Sequence, residues 1–502
     1  MNKSTRLEPV TPDVAIASPV AEPIRGGASP LAATSDGRWL ALAILLTGNF
    51  VTILDLFIVN VAIPSIQRGL GATLAEVQLV LVVYAATYGV CLLNGARLGD
   101  LFGRRRLFLI GMVLFTIASG LCGIATTPAL LIGARGLQGL GAAILMPQVL
   151  ASIRVLFPME SRRRAFGIMG AVQGVAASIS QLAGGALIEH GGAAGWRLVF
   201  LINLPIGILA VIAGRFLLTE TRAPVADRLD VHGALTGALG LAMLLVPVME
   251  GREYGWPWWS IALPVLSIAV FAHFVSYEKR LRTAGGVPII DIDLFANRRF
   301  VTGVIGVFLF YSSISSFFLS LTLLLQFGLG LAPLAAGWVF TPSAVAFFVG
   351  SLTGPKLAHR WGAKALLFGV TVFAAGLALS AYVGHAAVHS LGLMVVSLIL
   401  NGLGQGLVIP LAFNAILSGV RDDQAGMGSG MLSTMQTVGT ATGVTIVGVL
   451  LFAFVQHAGD AAPAKRYGQA LAWATLYNVA AASVSLLMFR LSTREDRVVK
   501  AG

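Results

Sequence analysis

Charge is scarce in this chain. Only 11% of its 502 residues are Asp, Glu, Lys or Arg, against about 25% in a soluble domain. Together with 57% hydrophobic residues and a mean hydropathy of +0.85, that excludes an ordinary soluble domain and indicates an integral membrane protein. The formal net charge of +12 does not favour nucleic acid as a partner, because the basic residues cluster in short loops between apolar runs. Cysteine is nearly absent. Cys91 and Cys122 both lie inside apolar runs, so no disulfide framework or metal site is expected. No apolar stretch begins before Leu40, so no cleavable leader is expected. There is no nucleophile–base set, no Gly-Lys-Ser/Thr phosphate cradle and no metal-ligand cluster, which argues against an enzyme and against intrinsic ATP drive. The apolar runs after residue 299 contain no Asp or Glu; Asp422, Asp423, Asp460, Glu495 and Asp496 all fall in loops or the tail.

What is present is a series of runs long enough to span a bilayer. Fourteen are expected, at 39–63, 76–98, 107–127, 129–153, 165–188, 198–218, 233–250, 259–277, 299–326, 333–356, 363–384, 389–417, 427–455 and 469–490. With the N-terminus in the cytoplasm, 28 of the 34 Lys and Arg fall on the cytoplasmic side, five on the other, and Arg135 alone within the membrane. That asymmetry follows the positive-inside rule and supports the even count. The chain then divides into a disordered cytoplasmic tail (1–38), an N-terminal six-helix bundle (39–220), two additional spans and a linker (221–298), a C-terminal six-helix bundle (299–490) and a second cytoplasmic tail (491–502).

Between two of these runs, residues 95–106 read GARLGDLFGRRR. Gly95, Gly99 and Gly103 let backbones approach closely at a helix end. Arg104, Arg105 and Arg106 hold that end in water. Arg97 and Asp100 lie beside them, where a carboxylate pairs with arginine or faces a helix N-terminus. A weaker echo, GPKLAHRWGAKAL, begins 259 positions later at Gly354 and puts His359 where Asp100 stands. An internal repeat of this kind marks a duplicated membrane domain, the plan of many transporters.

Two charges lie inside the bilayer. Asp55 sits mid-span, where an ionisable group is costly and its default reading is functional: proton carriage or cation binding. A hydrogen-bonded carboxylate that fixes helix packing is the alternative. Arg135 lies at a depth within about 3 Å of Asp55, counting 1.5 Å per residue from the outer ends of their spans. The two are expected to be paired directly or through water; a cation bonded to backbone carbonyls is the alternative for Arg135.

Four segments carry a family resemblance: LDLFIVNVAIP at 54–64, GARLGDLFGRRR at 95–106, RGLQGLGAA at 135–143, and Gly184–Gly185 followed by GWRLVFLINLPIG at 195–207. As a set they resemble the major facilitator superfamily, within it the fourteen-span drug:proton antiporters of the EmrB/QacA type. The resemblance implies an all-α membrane fold of two six-helix bundles around a cavity that opens alternately to each side, plus two extra central helices. It implies that the 95–106 segment is a cytoplasmic gate, with Asp100 latching onto the glycine-rich start of span thirteen near Gly426–Gly430. A purely topogenic basic loop is the alternative. It assigns proton coupling to Asp55 and Arg135.

The antiporter signature of span five departs from the usual Gly-Pro-x-x-Gly-Gly. Here residues 180–185 read SQLAGG, so Gln181 is new, Gly184 and Gly185 remain and the proline is gone. That leaves the direction of transport open. Phe57, Asn60, Gln138, Tyr311, Asn401, Gln405 and Gln436 are candidates to line the substrate cavity, with helix packing as the alternative for some. The expected protein is a proton-coupled exporter of amphipathic small molecules. It would work as a monomer in the bacterial inner membrane, with both termini cytoplasmic, no cofactor and the proton gradient as its energy source. A metabolite importer or symporter of the same fold is the nearer alternative, and a non-transporting receptor the more distant.

Overall fold

The computed structural model describes residues 35–222, 230–251, 254–286, 288, 292–385, 391–417, 425–457 and 462–494. The expected tails therefore lie almost wholly outside the described residues. The N-terminal half comprises α1 (Ser35–Leu70), α2 (Leu74–Phe102), α3 (Arg104–Ile124), α4 (Pro128–Leu156), α5 (Met159–His190), α6 (Gly195–Leu201) and α7 (Asn203–Leu217). The extra pair is α8 (Val231–Glu250) and α9 (Trp258–Thr283). The C-terminal half comprises α10 (Arg298–Leu323), α11 (Pro333–Trp361), α12 (Ala363–His385), α13 (Leu391–Leu417), α14 (Ala425–His457) and α15 (Pro463–Arg494). Among the described residues, 14 helical segments are long and apolar enough to cross a membrane.

Local chemistry sets the helix ends. Thr73 and Glu76 form a reciprocal capping box at the start of α2. Thr127 caps α4, and Pro128 occupies its first turn, where the missing N–H costs nothing. Gly103, at φ +105°, makes the sharp turn from α2 into α3. Glu220 then accepts from the backbone N–H groups of Arg105 and Arg106 at 3.1 and 3.2 Å, holding a carboxylate against the exposed N-terminus of α3.

Span six differs from the expected single run at 198–218. It is built from α6 and α7, with the hydrogen-bond ladder interrupted at Ile202. Pro205 has no N–H to return to Leu201, which removes the bond that would have joined the two pieces. In the other half, α10 ends in a π-helical turn over Leu324–Gly328.

Call the end where α1 begins and α2 meets α3 the basic end, and the opposite one the far end. Around α1 of the N-terminal half, an apolar core of Leu45, Phe108, Met112, Leu145 and Val149 serves the basic end. A separate core of Phe310, Phe317, Phe373 and Leu398 fills the C-terminal half. At the far end the halves share one core, in which Ile58, Val80, Val199 and Phe200 pack with Leu319, Val444, Val447 and Leu451. The α8–α9 hairpin lies outside, with α8 against α2 and α14.

Cross-half packing follows the same asymmetry. Gly185 brings α5 against Pro333 and Leu334 of α11, and Gly337 brings α11 against Gln181. Nearer the basic end, a Cβ added at Gly167 or Gly170 of α5 would meet nothing within 4 Å. Gln326, in the π-helical turn, donates to the Val61 carbonyl at 2.9 Å and ties α10 to α1 at the far end. Among the described residues, the halves share an apolar core at the far end.

Within the N-terminal half, Gly95 is where α2 crosses α4, and any Cβ there would collide with the Ala143 carbonyl. Because that obstacle is backbone, Gly95→Val is expected to destabilise the protein by about 1–3 kcal/mol, as overpacked cores do. A lowered melting midpoint in detergent checks this; an unchanged midpoint would mean the two helices move apart freely.

Candidate functional site

Asp55 and Arg135 form a direct ion pair, both at 0% side-chain exposure. Asp55 faces inward from α1, and Arg135 enters from the second turn of α4. The Asp55 carboxylate accepts from Arg135 Nη1 on Oδ2, and from Gln138 Nε2 at 2.9 Å and Asn203 Nδ2 at 3.2 Å on Oδ1. Gln138 and Asn203 also donate to Ser119 Oγ, at 3.1 and 3.0 Å, and the Ser119 hydroxyl donates to the Phe200 carbonyl at 2.9 Å. Arg135 is held as firmly. Its Nε donates to the Val80 carbonyl at 3.0 Å, Nη1 donates to Gln138 Oε1 at 2.8 Å, and its Cζ lies 4.1 Å from the centre of the Tyr84 ring.

The interruption of span six explains how Asn203 reaches this network. It is the first residue of α7, at the break that Pro205 creates. Sequence reasoning misses Asn203, Ser119 and Tyr84. The one available signal is a polar residue two positions before a proline in an apolar run; Ser119 and Tyr84 give none.

A cleft lies between the halves beside this pair. Leu56, Phe57 and Asn60 of α1, Ala85 of α2 and Arg135 of α4 line one side, and Ser315 of α10 with Thr440 and Val444 of α14 line the other. Phe57 meets Phe318 edge to face at 6.2 Å, and Phe318 stacks on Phe340 at 5.4 Å. Tyr311 and Gln436 stand one helical turn from Ser315 and Thr440 on the same helix faces, toward the basic end.

Three expected cavity residues are placed elsewhere. Gln138 is wholly buried inside the Asp55 network. Asn401 and Gln405 are buried in the C-terminal bundle, where Gln405 donates to Asn401. Spans that are apolar nearly all round do not reveal which face a lone amide occupies.

Gln181 bonds a neighbouring helix, donating to the Phe57 carbonyl at 3.3 Å. It stands where the family's proline is missing and ties α5 to α1 two residues from Asp55. The glycine pair divides its work: Gly184 admits Ile58 of α1, and Gly185 admits α11 of the other half.

In the gate segment, Gly95 and Gly99 lie against Ala143 and Gln148 of α4. Arg97 donates to the Pro288 carbonyl, in the segment that precedes α10. Asp100 is bonded by Arg104 at 2.8 Å and is 39% exposed. The antiparallel helices α2 and α14 pair Gln78 with Gly448 and Gly89 with Thr437. The surroundings of Gly426 and of residues 425, 427 and 429 lie outside what is described.

Comparison with known proteins agrees with this architecture. The family model of the Major Facilitator Superfamily matches residues 45–444 and again 303–496. The chain is 38% identical to the probable actinorhodin transporter of Streptomyces coelicolor, over 83% of this chain and 72% of that one. It is 34% identical to the puromycin resistance protein pur8 of Streptomyces alboniger, over 82% of this chain and 81% of that one. It is 29% identical to the tetracenomycin C resistance and export protein of Streptomyces glaucescens, over 88% and 81%. Among solved structures, a bacterial homologue of the human lysosomal transporter Spinster, inward-facing and unoccupied, shares the fold with a TM-score of 0.62 at 17% identity, covering 93% of this chain and 98% of that one. A family model and relatives that each span most of its length, joined to two helical bundles around a central cleft, establish that this chain belongs to the Major Facilitator Superfamily.

Proposed function

We propose that this protein is a proton-coupled exporter of amphipathic small molecules, of the kind that its antibiotic-exporting relatives are named for. The observation that carries this reading is a buried, titratable carboxylate held by an arginine that also lines a cleft between the halves. The basic end faces the cytoplasm of a bacterial cell, by the excess of Lys and Arg in its loops. The conformation described is then inward-facing.

In this reading Asp55 takes a proton from the far side when the cleft opens there, which breaks its ion pair with Arg135. The return to the inward state releases the proton to the cytoplasm and restores the pair. Cargo enters the inward-facing cleft and leaves on the far side, so one proton entering and one cargo leaving use the two halves of the same cycle.

Inside-out vesicles test this. Adding a transported antibiotic to vesicles holding a proton gradient is expected to release protons, and expression in an efflux-deficient host is expected to raise its tolerance of that antibiotic. Proton movement with no gain in tolerance would indicate inward transport and overturn the exporter reading.

Asp100 serves as the latch that closes the cytoplasmic end. Closing brings the first turn of α14 to its carboxylate, where the helix N-terminus favours negative charge. Asp100→Asn removes one partly exposed ion pair, worth under about 1 kcal/mol, so the melting midpoint is expected to stay nearly constant. Transport is expected to fall about tenfold, a shift of ~1.4 kcal/mol in the balance between open and closed states. Full transport in that variant would leave the segment with a purely topogenic role.

A further inference from the structure

The hairpin outside the two bundles carries a pair of histidines that the proposed transport cycle does not use. His232 lies in the first turn of α8, and His273 lies in the half of α9 toward the basic end. They are 41 positions apart in sequence, and both are exposed. Their Nε2 atoms face each other at 3.3 Å, with the ring planes at 79°. Lys279 and Arg280, less than two turns further along α9, are also exposed. The pair therefore sits where the hairpin leaves the apolar layer, within reach of water and dissolved ions.

The separation suits a metal ion. Two imidazole nitrogens bound at about 2.0–2.1 Å to one tetrahedral zinc stand about 3.3–3.4 Å apart. In the pair as it stands, one Nε2–H donates to the other Nε2. A dication takes the place of that proton: the hydrogen moves to Nδ1 of its own ring, and both rings tilt until their Nε2 lone pairs meet at the ion. The surroundings hold one of the rings ready. Tyr277, one turn beyond His273 on α9, packs against the His232 ring at 4.5 Å and donates from its hydroxyl to Asp230 Oδ1 at 3.1 Å. The same oxygen accepts from the Gly233 N–H at 2.8 Å, as the cap of α8. Asp230 Oδ2 is buried and has no hydrogen-bond partner among the described residues. The carboxylate behind Tyr277 is thus bonded by neutral donors, which favours a cation at the adjacent histidines.

We propose that His232 and His273 are the two protein ligands of a transition-metal dication, zinc or its neighbours copper and nickel, which clips the basic ends of α8 and α9 together. Imidazole suits these ions; magnesium and calcium take oxygen ligands instead. Among the described residues no cluster of three or more His, Cys, Asp and Glu is placed to hold a metal. The remaining positions on the ion therefore fall to water, and the ion exchanges with the solution. Because α8 packs against α2 of one half and α14 of the other, a stiffened hairpin bears on the seam between the halves. The site stands independently of the exporter reading.

Metal binding to the purified, tag-free full-length protein in phosphatidylcholine nanodiscs tests this. Zinc chloride is titrated in excess magnesium chloride, with bound zinc counted by equilibrium dialysis. Copper(II) on the same protein is read by electron paramagnetic resonance. His232→Ala and His273→Ala are each expected to weaken zinc at least about tenfold, the lower end of what losing even an outer partner of a metal costs. The double variant is expected to bind one zinc fewer per chain. The copper spectrum is expected to show two coupled nitrogens in the unaltered protein and one in each single variant. Zinc is expected to raise the melting midpoint of the unaltered protein more than that of the double variant.

No zinc bound by the unaltered protein overturns the inference and leaves the two rings sharing a proton only. Equal zinc binding by the double variant overturns it as well, as does a single coupled nitrogen on copper in the unaltered protein. Both side chains are exposed, so the variants are expected to fold. Should one fail, the copper spectrum of the unaltered protein still decides.

Discussion

Asp55→Asn is expected to abolish proton-coupled export while leaving the cleft able to bind cargo. The amide keeps the shape and one acceptor oxygen, so the bonds from Gln138 and Asn203 to Oδ1 have a counterpart. It cannot ionise, so the variant is locked in a state resembling the protonated carrier. Export against a gradient is expected to fall at least about a hundredfold, and substrate-induced proton release to vanish, because no acidic residue lines the described cleft to take over from Asp55. Downhill exchange of cargo between the two sides is expected to persist. The measurement is proton release from inside-out vesicles alongside counterflow of labelled cargo. Persistent proton release in Asp55→Asn would remove Asp55 from the coupling step.

The second large effect concerns stability. Arg135→Leu leaves the Asp55 carboxylate buried among apolar side chains with only two neutral donors. Breaking a buried ion pair from one side costs about 3–5 kcal/mol, because the remaining charge is stranded. Asp55→Asn strands the Arg135 guanidinium in the same way, so the melting midpoints of both single variants are expected to fall. Removing both charges, in Asp55→Asn/Arg135→Leu, is expected to recover most of the loss, since a matched neutral pair strands nothing. Simple addition of the two single effects in the double variant would show that the charges do not depend on each other.

The fourteen spans are legible in the sequence because a bilayer leaves a length and composition signature that survives any detail of packing. The pairing of Asp55 with Arg135 is legible from depth alone, since two charges at one level in a bilayer have few other partners. Their surroundings are not. Ser119 is one small polar residue in an apolar run, and nothing in such a run says which side it faces. For the same reason Gln138 reads as a cavity residue and lies instead against Asp55. The interruption of span six is available in principle from Pro205, but hydropathy averages over it. Glu220 looks like an ordinary loop charge; its place at the N-terminus of α3 depends on a chain reversal of more than a hundred residues.

The core shared by the two halves at the far end determines where the molecule rests. To open that end, Leu319, Val444, Val447 and Leu451 must part from Ile58, Val80 and Val199, and each large apolar side chain that meets water costs roughly 1.5–3 kcal/mol. On the proposed reading, the carrier without a gradient idles with its cleft toward the cytoplasm. In the proposed cycle the cargo-loaded carrier makes the unfavourable outward excursion with Asp55 unprotonated, and the proton rides the return, on which the core reunites.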